Sequence, residues 1–193
     1  MRFIGVYDYT VILTYLSLIS AFGGMTFASR GVYTGAILCL MASGICDAFD
    51  GTVARTKKNR TEEEKAFGIQ LDSLVDVVSF GLFPAFFCWC LGVRGATGLV
   101  ILFFYCTAAV IRLAFFNVLE AKRQQTEGGS TKVYRGLPVT TISMIFPLVW
   151  LLRPLVSPPL FLLILHFMLA AVGFLFILDI PIRKLSFKLP AKQ

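Results

Sequence analysis

Charged side chains are scarce in this chain: aspartate, glutamate, lysine and arginine make up 15% of its 193 residues, against 57% hydrophobic. Soluble domains carry about 25% charged residues, so an ordinary water-soluble fold is excluded. Histidine occurs once, as His166 in Leu-Ile-Leu-His-Phe-Met, with no polar neighbour in sequence that would give it chemistry. It reads as a packing residue. The five cysteines (Cys39, Cys46, Cys88, Cys90, Cys106) fall in apolar segments without CxxC spacing. That excludes a structural zinc cage and leaves them as small apolar packing groups. No internal repeat or low-complexity tract is present. The opening Met1-Arg2-Phe-Ile-Gly-Val-Tyr-Asp8 lacks the basic, apolar and small-residue order of a cleaved signal peptide. It is expected to remain and to lie at the interface, its aromatic rings at headgroup depth.

What the chain has in abundance is long apolar runs: Val11–Ser29, Thr34–Phe49, Leu74–Leu91, Ala96–Val118, Val139–Leu152 and Pro159–Leu178. A helix rising 1.5 Å per residue needs roughly 20 residues to cross about 30 Å of hydrocarbon. Several runs reach that length, and the others do so when flanking residues join. The expectation is an all-α integral membrane protein of six transmembrane helices, one domain over residues 1–193, embedded in the lipid bilayer. The weakest boundary lies around Leu151–Pro159.

Basic residues set the orientation. With six spans, one side holds Arg2, five basic residues in Arg55–Lys65, four in Lys122–Arg135 and four in Arg183–Lys192. The other side holds only Arg30, Arg94 and Arg153, and Arg112 lies within a span. The positive-inside rule puts both termini in the cytoplasm and the protein in the cell membrane. The formal net charge of +7 is then explained by topology and the anionic inner leaflet, with no nucleic acid as partner.

Against this background the aspartates stand out. There are six, and four fall in one arrangement: Asp47-Ala-Phe-Asp50-Gly51-Thr-Val-Ala54-Arg55, then Gly68-Ile-Gln-Leu-Asp72-Ser-Leu-Val-Asp76. On helices, Asp47 and Asp50 (three apart) and Asp72 and Asp76 (four apart) each share a face. The loop between them is cytoplasmic in the topology above, so all four sit at similar depth in the inner half of the membrane. Carboxylates beside hydrocarbon are costly and mark function when present. Packed together they repel one another and call for cations. Oxygen-only ligation suits Mg²⁺ or Mn²⁺, and two such ions can grip a phosphate and neutralise developing charge. Gly51 and Ala54 are small enough for a phosphate to come close, and the donor fork of Arg55 suits a phosphate oxygen. Individually, Asp47 and Asp50 could mark a helix end and Asp72 could cap one. Asp76, about one turn deeper in an apolar run, does not fit that simpler account.

These residues resemble the CDP-alcohol phosphatidyltransferase family, whose signature is D-x2-D-G-x2-A-R, a spacer, then G-x3-D-x3-D. All eight positions are met, by Asp47, Asp50, Gly51, Ala54, Arg55, Gly68, Asp72 and Asp76. The spacer Thr56–Phe67 is longer than the family's usual one, a change of little energetic consequence. Further blocks, Leu71-Asp72-Ser73-Leu-Val-Asp76-Val-Val-Ser79-Phe80-Gly81-Leu-Phe-Pro84-Ala85, Arg112-Leu-Ala-Phe-Phe-Asn117-Val118 and Gly136-Leu137-Pro138, are similar to the serine-accepting, integral-membrane branch. Phe115 stands where that branch often has arginine. The last two spans are only generically similar.

The resemblance implies transfer of the phosphatidyl group from CDP-diacylglycerol to a hydroxyl of L-serine, with release of CMP and with divalent ions as cofactor. It implies Asp47, Asp50, Asp72 and Asp76 as ligands and Asp76 as general base, with Gly51, Ala54, Arg55 and Gly68 holding the nucleotide diphosphate. Thr14 and Ser17, three apart on the first span, are candidates to approach the cytidine, unless they only bond within their helix. Arg112 is a candidate for the serine carboxylate or a partner for a motif aspartate. Asn117 and Arg135 are further candidates for acceptor contacts. The family also implies a homodimer, and Gly23, Gly24, Gly35, Ala36, Ala42 and Gly44 permit close helix packing. Three alternatives stay open: another acceptor such as glycerol 3-phosphate or inositol, an ether-lipid donor, and a divalent-cation transporter whose aspartates line a path.

Overall fold

Asp8 begins the first helix: its carboxylate accepts from the Thr10 amide at 2.7 Å and from the Thr10 hydroxyl, a side-chain cap on a first turn that is 3₁₀. The computed structural model describes residues 5–57, 59–125, 133–179 and 181–183, with backbone alone at 122–125, 133–135 and 181–183. The helices are α1 (Tyr9–Ser29), α2 (Tyr33–Ala54), α3 (Glu62–Leu91), α4 (Gly95–Gln125), α5 (Val139–Trp150) and α6 (Pro158–Ile177). The protein is all-α in its body. Among the described residues five helices are long and apolar enough to cross a membrane, and α5 is a shorter apolar helix. At 1.5 Å per residue its 12 residues cover about 18 Å. Pro147 inside it and Pro154 after it remove backbone donors, and the chain continues in turns to Val156.

α1 and α2 form a tight antiparallel pair joined by the three residues Arg30–Val32, and Gly31 among them takes the left-handed φ of +76° that so short a reversal needs. The pair is stitched by hydroxyls. Ser43 donates to the Ser17 carbonyl at 2.8 Å, and Ser20 donates to the Cys39 carbonyl at 2.9 Å. Gly24 lets Phe83 of α3 lie against α1: a Cβ there would overlap that ring and would come 2.9 Å from Cys39 Cβ. Gly44 does the same for Ser143 of α5, one turn before Asp47. These glycines are used inside the chain's own bundle, where close approach of backbones maximises dispersion contact in an apolar medium.

α3 starts six residues before Gly68, earlier than its apolar run suggests. A capping box explains this: Thr61 Oγ1 accepts from the Glu64 amide at 3.1 Å while Glu64 accepts from the Thr61 amide at 3.0 Å. Glu62, Glu63 and Glu64 in the first turn complement the helix dipole. Midway the helix widens into a π turn, Val77–Leu82. Pro84 has no amide hydrogen, so Phe80 loses its i+4 donor. The buried Tyr105 of α4 supplies the replacement, donating to the Phe80 carbonyl at 2.7 Å. Tyr105→Phe is therefore expected to leave a buried carbonyl unpaired, at a cost of about 1–3 kcal/mol. A lowered thermal unfolding midpoint in detergent would show it.

At the end of the bundle away from the aspartates, Phe87 stacks on Phe146 at 4.9 Å and Trp150 meets Tyr33 edge-on at 6.0 Å. The Arg153 guanidinium lies 4.5 Å over Trp150 and Arg94 lies 5.5 Å over Trp89. Arginine and tryptophan together suit a membrane–water boundary. Large apolar side chains such as Phe103 and Phe167 point outward, 72% and 75% exposed, as a lipid-facing surface requires. His166 stays within its own helix, with Nδ1 2.8 Å from the Leu162 carbonyl. One short antiparallel ribbon departs from the helical pattern, pairing β1 (Val133–Arg135) with β2 (Pro181–Arg183). It ties the connector after α4 to the segment after α6.

Candidate active site

The four aspartates approach from two helices. α2 carries Asp47 and Asp50 at its last turns, and α3 carries Asp72 and Asp76 one turn apart, just before the π turn. Carboxylate oxygens of Asp47, Asp50 and Asp72 all lie within 4.8 Å of one another. Asp76, only 7% exposed, is within hydrogen-bonding range of Asp47. The three half-buried carboxylates of Asp47, Asp50 and Asp72 form one oxygen-rich cluster that could hold a metal ion, and hard oxygen donors without sulfur or imidazole fit Mg²⁺ or Mn²⁺. Asp47 and Asp50 lie in the last two turns of α2, and Asp72 and Asp76 in the middle third of α3.

Beside the cluster lies a cavity of about 120 Å³ between α1, the end of α2 and the start of α3. Asp50, Asp72, Gly51, Ala54, Gly68 and Thr14 line it, together with Thr10, Arg60 and Lys65. Thr14 donates to Asp50 Oδ2 at 3.4 Å. Ser17 is placed elsewhere: it contacts the Ser43 carbonyl and Ser79 Oγ, both at 3.4 Å, in a buried serine cluster between α1, α2 and α3. Neither hydroxyl bonds within its own helix in the bonds described. Arg55 is exposed and donates to Thr52 Oγ1 at 3.2 Å, outside the cavity. Arg60 and Lys65 are the cavity's basic residues, and sequence reasoning missed them as site residues.

The candidate acceptor residues are spread more widely. Asn117 of α4 accepts from Ser73 Oγ at 2.7 Å and donates to Gln70 at 3.4 Å, which fixes α4 beside Asp72. Arg112 is buried and donates through Nε to the Leu137 carbonyl at 3.2 Å and through Nη2 to the Gly136 carbonyl at 3.4 Å. Its described hydrogen bonds thus go to the Gly-Leu-Pro segment rather than to a motif aspartate. Gly136 has φ +75°, and a Cβ there would press to 3.0 Å on the Leu178 carbonyl. A second cavity, of about 260 Å³, is lined by Arg112, Ile111, Phe115, Asp179 and the end of α6. The side chain of Arg135 falls outside the described residues.

The connector between α2 and α3 is pinned from both sides. Lys57 Nζ lies 2.8 Å from Asp8 and 3.1 Å from Glu64. The hydrogen bond from Lys57, with that from Thr10, pulls the Asp8 carboxyl down to about 2, while Asp8 and then Glu64 raise the Lys57 ammonium. Both groups are charged throughout the neutral range. Thr56 Oγ1 adds a contact to Tyr9 Oη at 3.2 Å.

A family model for CDP-alcohol phosphatidyltransferases matches residues 9–178, which takes in all six helices except the last residues of the described chain. The chain belongs to the CDP-alcohol phosphatidyltransferase family. Among its relatives, a CDP-diacylglycerol–serine O-phosphatidyltransferase of Saccharomyces cerevisiae is 31% identical over 151 residues, 72% of this chain and 53% of the yeast protein. One of Helicobacter pylori is 30% identical over 146 residues, 75% of this chain and 56% of the bacterial one. One of Methanocaldococcus jannaschii is 37% identical over 78 residues, 40% of this chain and 36% of the archaeal one. The chain spans about half the length of the first two. The residues matched by that family model take in the five described helices long and apolar enough to cross a membrane, and the aspartate cluster lies within them.

Proposed function

We propose that the enzyme transfers the phosphatidyl group of CDP-diacylglycerol to the hydroxyl of L-serine, giving phosphatidylserine and CMP. The observation that carries this is the convergence of Asp47, Asp50, Asp72 and Asp76 beside a cavity lined by the signature's small residues. The names of the relatives support serine as acceptor. Asp47, Asp50, Asp72 and Asp76 would hold Mg²⁺ or Mn²⁺, in two sites. Bound there, divalent ions supply charge neutralisation for the phosphate oxygens.

The chain's own groups then divide the work. Gly51, Ala54 and Gly68 leave room for the nucleotide diphosphate, and Thr14 holds Asp50. Asp76, the most buried carboxylate, takes the proton of the serine hydroxyl. The oxygen so released attacks the lipid-linked phosphorus, and the bond to the CMP oxygen breaks. Burial of Asp76 keeps bulk water from competing as acceptor. The 260 Å³ cavity is lined by Arg112, whose positive charge is complementary to the carboxylate of an amino acid. Asn117 and Arg135 remain proposed acceptor contacts.

Placement in the cell membrane with the site and both termini on the cytoplasmic side follows from the arginine and lysine bias. That side is also where a soluble amino acid and a cytidine nucleotide meet. A homodimer is proposed with it. Purified protein should release CMP from CDP-diacylglycerol with L-serine and Mg²⁺ or Mn²⁺. Turnover with glycerol 3-phosphate or inositol and none with serine would overturn the acceptor assignment.

A further inference from the structure

Arg60 is a basic side chain at the site that lies outside the signature. It belongs to the connector between α2 and α3, immediately before the Thr61 cap, and it lines the cavity beside Asp50 and Asp72. Its Nη2 donates to the Glu64 carbonyl at 3.1 Å. Its Nε–H is buried and, among the described residues, has no hydrogen-bond partner. A buried guanidinium donor without an acceptor is costly, so its place beside a cavity calls for an explanation.

The guanidinium has a seat made for it. At Gly68 an added Cβ would stand 2.7 Å from Arg60 Nη2, so the guanidinium lies directly against the glycine and a larger residue would push it aside. In this chain, glycine at the signature position therefore admits an arginine as well as a phosphate. The connector that delivers Arg60 is fixed, through the capping box at its end and the Lys57 bridge to Asp8 and Glu64. Arg55, the arginine of the signature, lies outside the cavity on Thr52.

We propose that Arg60 is a binding residue for the diphosphate of the nucleotide-activated donor, its planar fork meeting phosphate oxygens in the cavity that Asp50 and Asp72 also line. Lys65 lines the same cavity while pairing with Glu62 at 2.7 Å. One cavity then holds carboxylates suited to cations and basic groups suited to the anion, a combination that favours a metal-bound diphosphate over metal alone. The inference rests on reading this cavity as the donor site.

The test uses the full-length protein in detergent, with CDP as probe in the presence of Mn²⁺. Arg60→Gln should weaken CDP binding, and raise the KM for CDP-diacylglycerol, about 10- to 100-fold. Mn²⁺ binding alone and the KM for serine should stay within about twofold of wild type, since the carboxylates and the acceptor cavity are untouched. Arg60→Lys should recover part of the loss, because charge is kept and the fork is not. Unchanged CDP affinity in Arg60→Gln would overturn the proposal. A thermal unfolding midpoint and an Mn²⁺ affinity near wild type in Arg60→Gln exclude a folding defect as the cause of weakened CDP binding, and a loss of Mn²⁺ binding equal to the loss of CDP binding would count against the proposal. If wild-type protein neither binds CDP nor releases CMP, the donor-site reading itself fails and takes this proposal with it.

Discussion

Replacing Asp76 by asparagine should lower turnover at least about 10³-fold while leaving the protein folded. The side chain is the most buried of the four aspartates and sits where α3 enters its π turn, in range of Asp47. Asparagine has nearly the same shape but cannot accept a proton, so the change removes the base and preserves the packing around it. Binding of CDP-diacylglycerol should survive better than turnover, because the diphosphate cavity is lined by Asp50 and Asp72 and not by Asp76. Loss should therefore appear in kcat more than in the KM for the donor. Wild-type turnover in Asp76→Asn would refute its role as base.

Chelation should be as severe and, unlike the substitution, reversible. With EDTA in excess, CMP release should fall to background, and Mg²⁺ or Mn²⁺ added back should restore it. The reason lies in the cluster's charge: carboxylates from α2 and α3 converge within 4.8 Å with no arginine or lysine among them. A diphosphate approaching those oxygens bare would be repelled. Ca²⁺, larger and with looser geometry, should support binding better than turnover. Full activity in a chelated sample, verified metal-free by elemental analysis, would sink the proposed cofactor.

The helices and the cluster were legible in the sequence for a simple reason. Apolar runs of about 20 residues have few other uses, and spacings of three and four put each aspartate pair on one helix face. Thr61 and Glu64 also announce the capping box that starts α3, but the glutamates of its first turn mask the helix from a search for apolar runs. Arg60 was not legible. Lys57, Lys58, Arg60 and Lys65 look alike in sequence, and only the fold shows that Arg60 and Lys65 line the cavity. Arg112 was recognisable as needing partners, yet its partners are carbonyls of Gly136 and Leu137, and backbone acceptors carry no sequence signature. The three-residue strands are too short to show an alternating pattern at all.

The π turn in α3 has a consequence for how that helix can change. One extra residue in a turn rotates everything after it by roughly 100° relative to what precedes it. Asp72 and Asp76 are thus set by one azimuth, and Phe83 and Phe87 by another, on what is nominally a single rod. An insertion or deletion upstream would swing the carboxylates without disturbing the aromatic wall. A change within Val77–Leu82 would alter the phase between the two, so Pro84 and the Tyr105 hydroxyl together keep chemistry and packing in step.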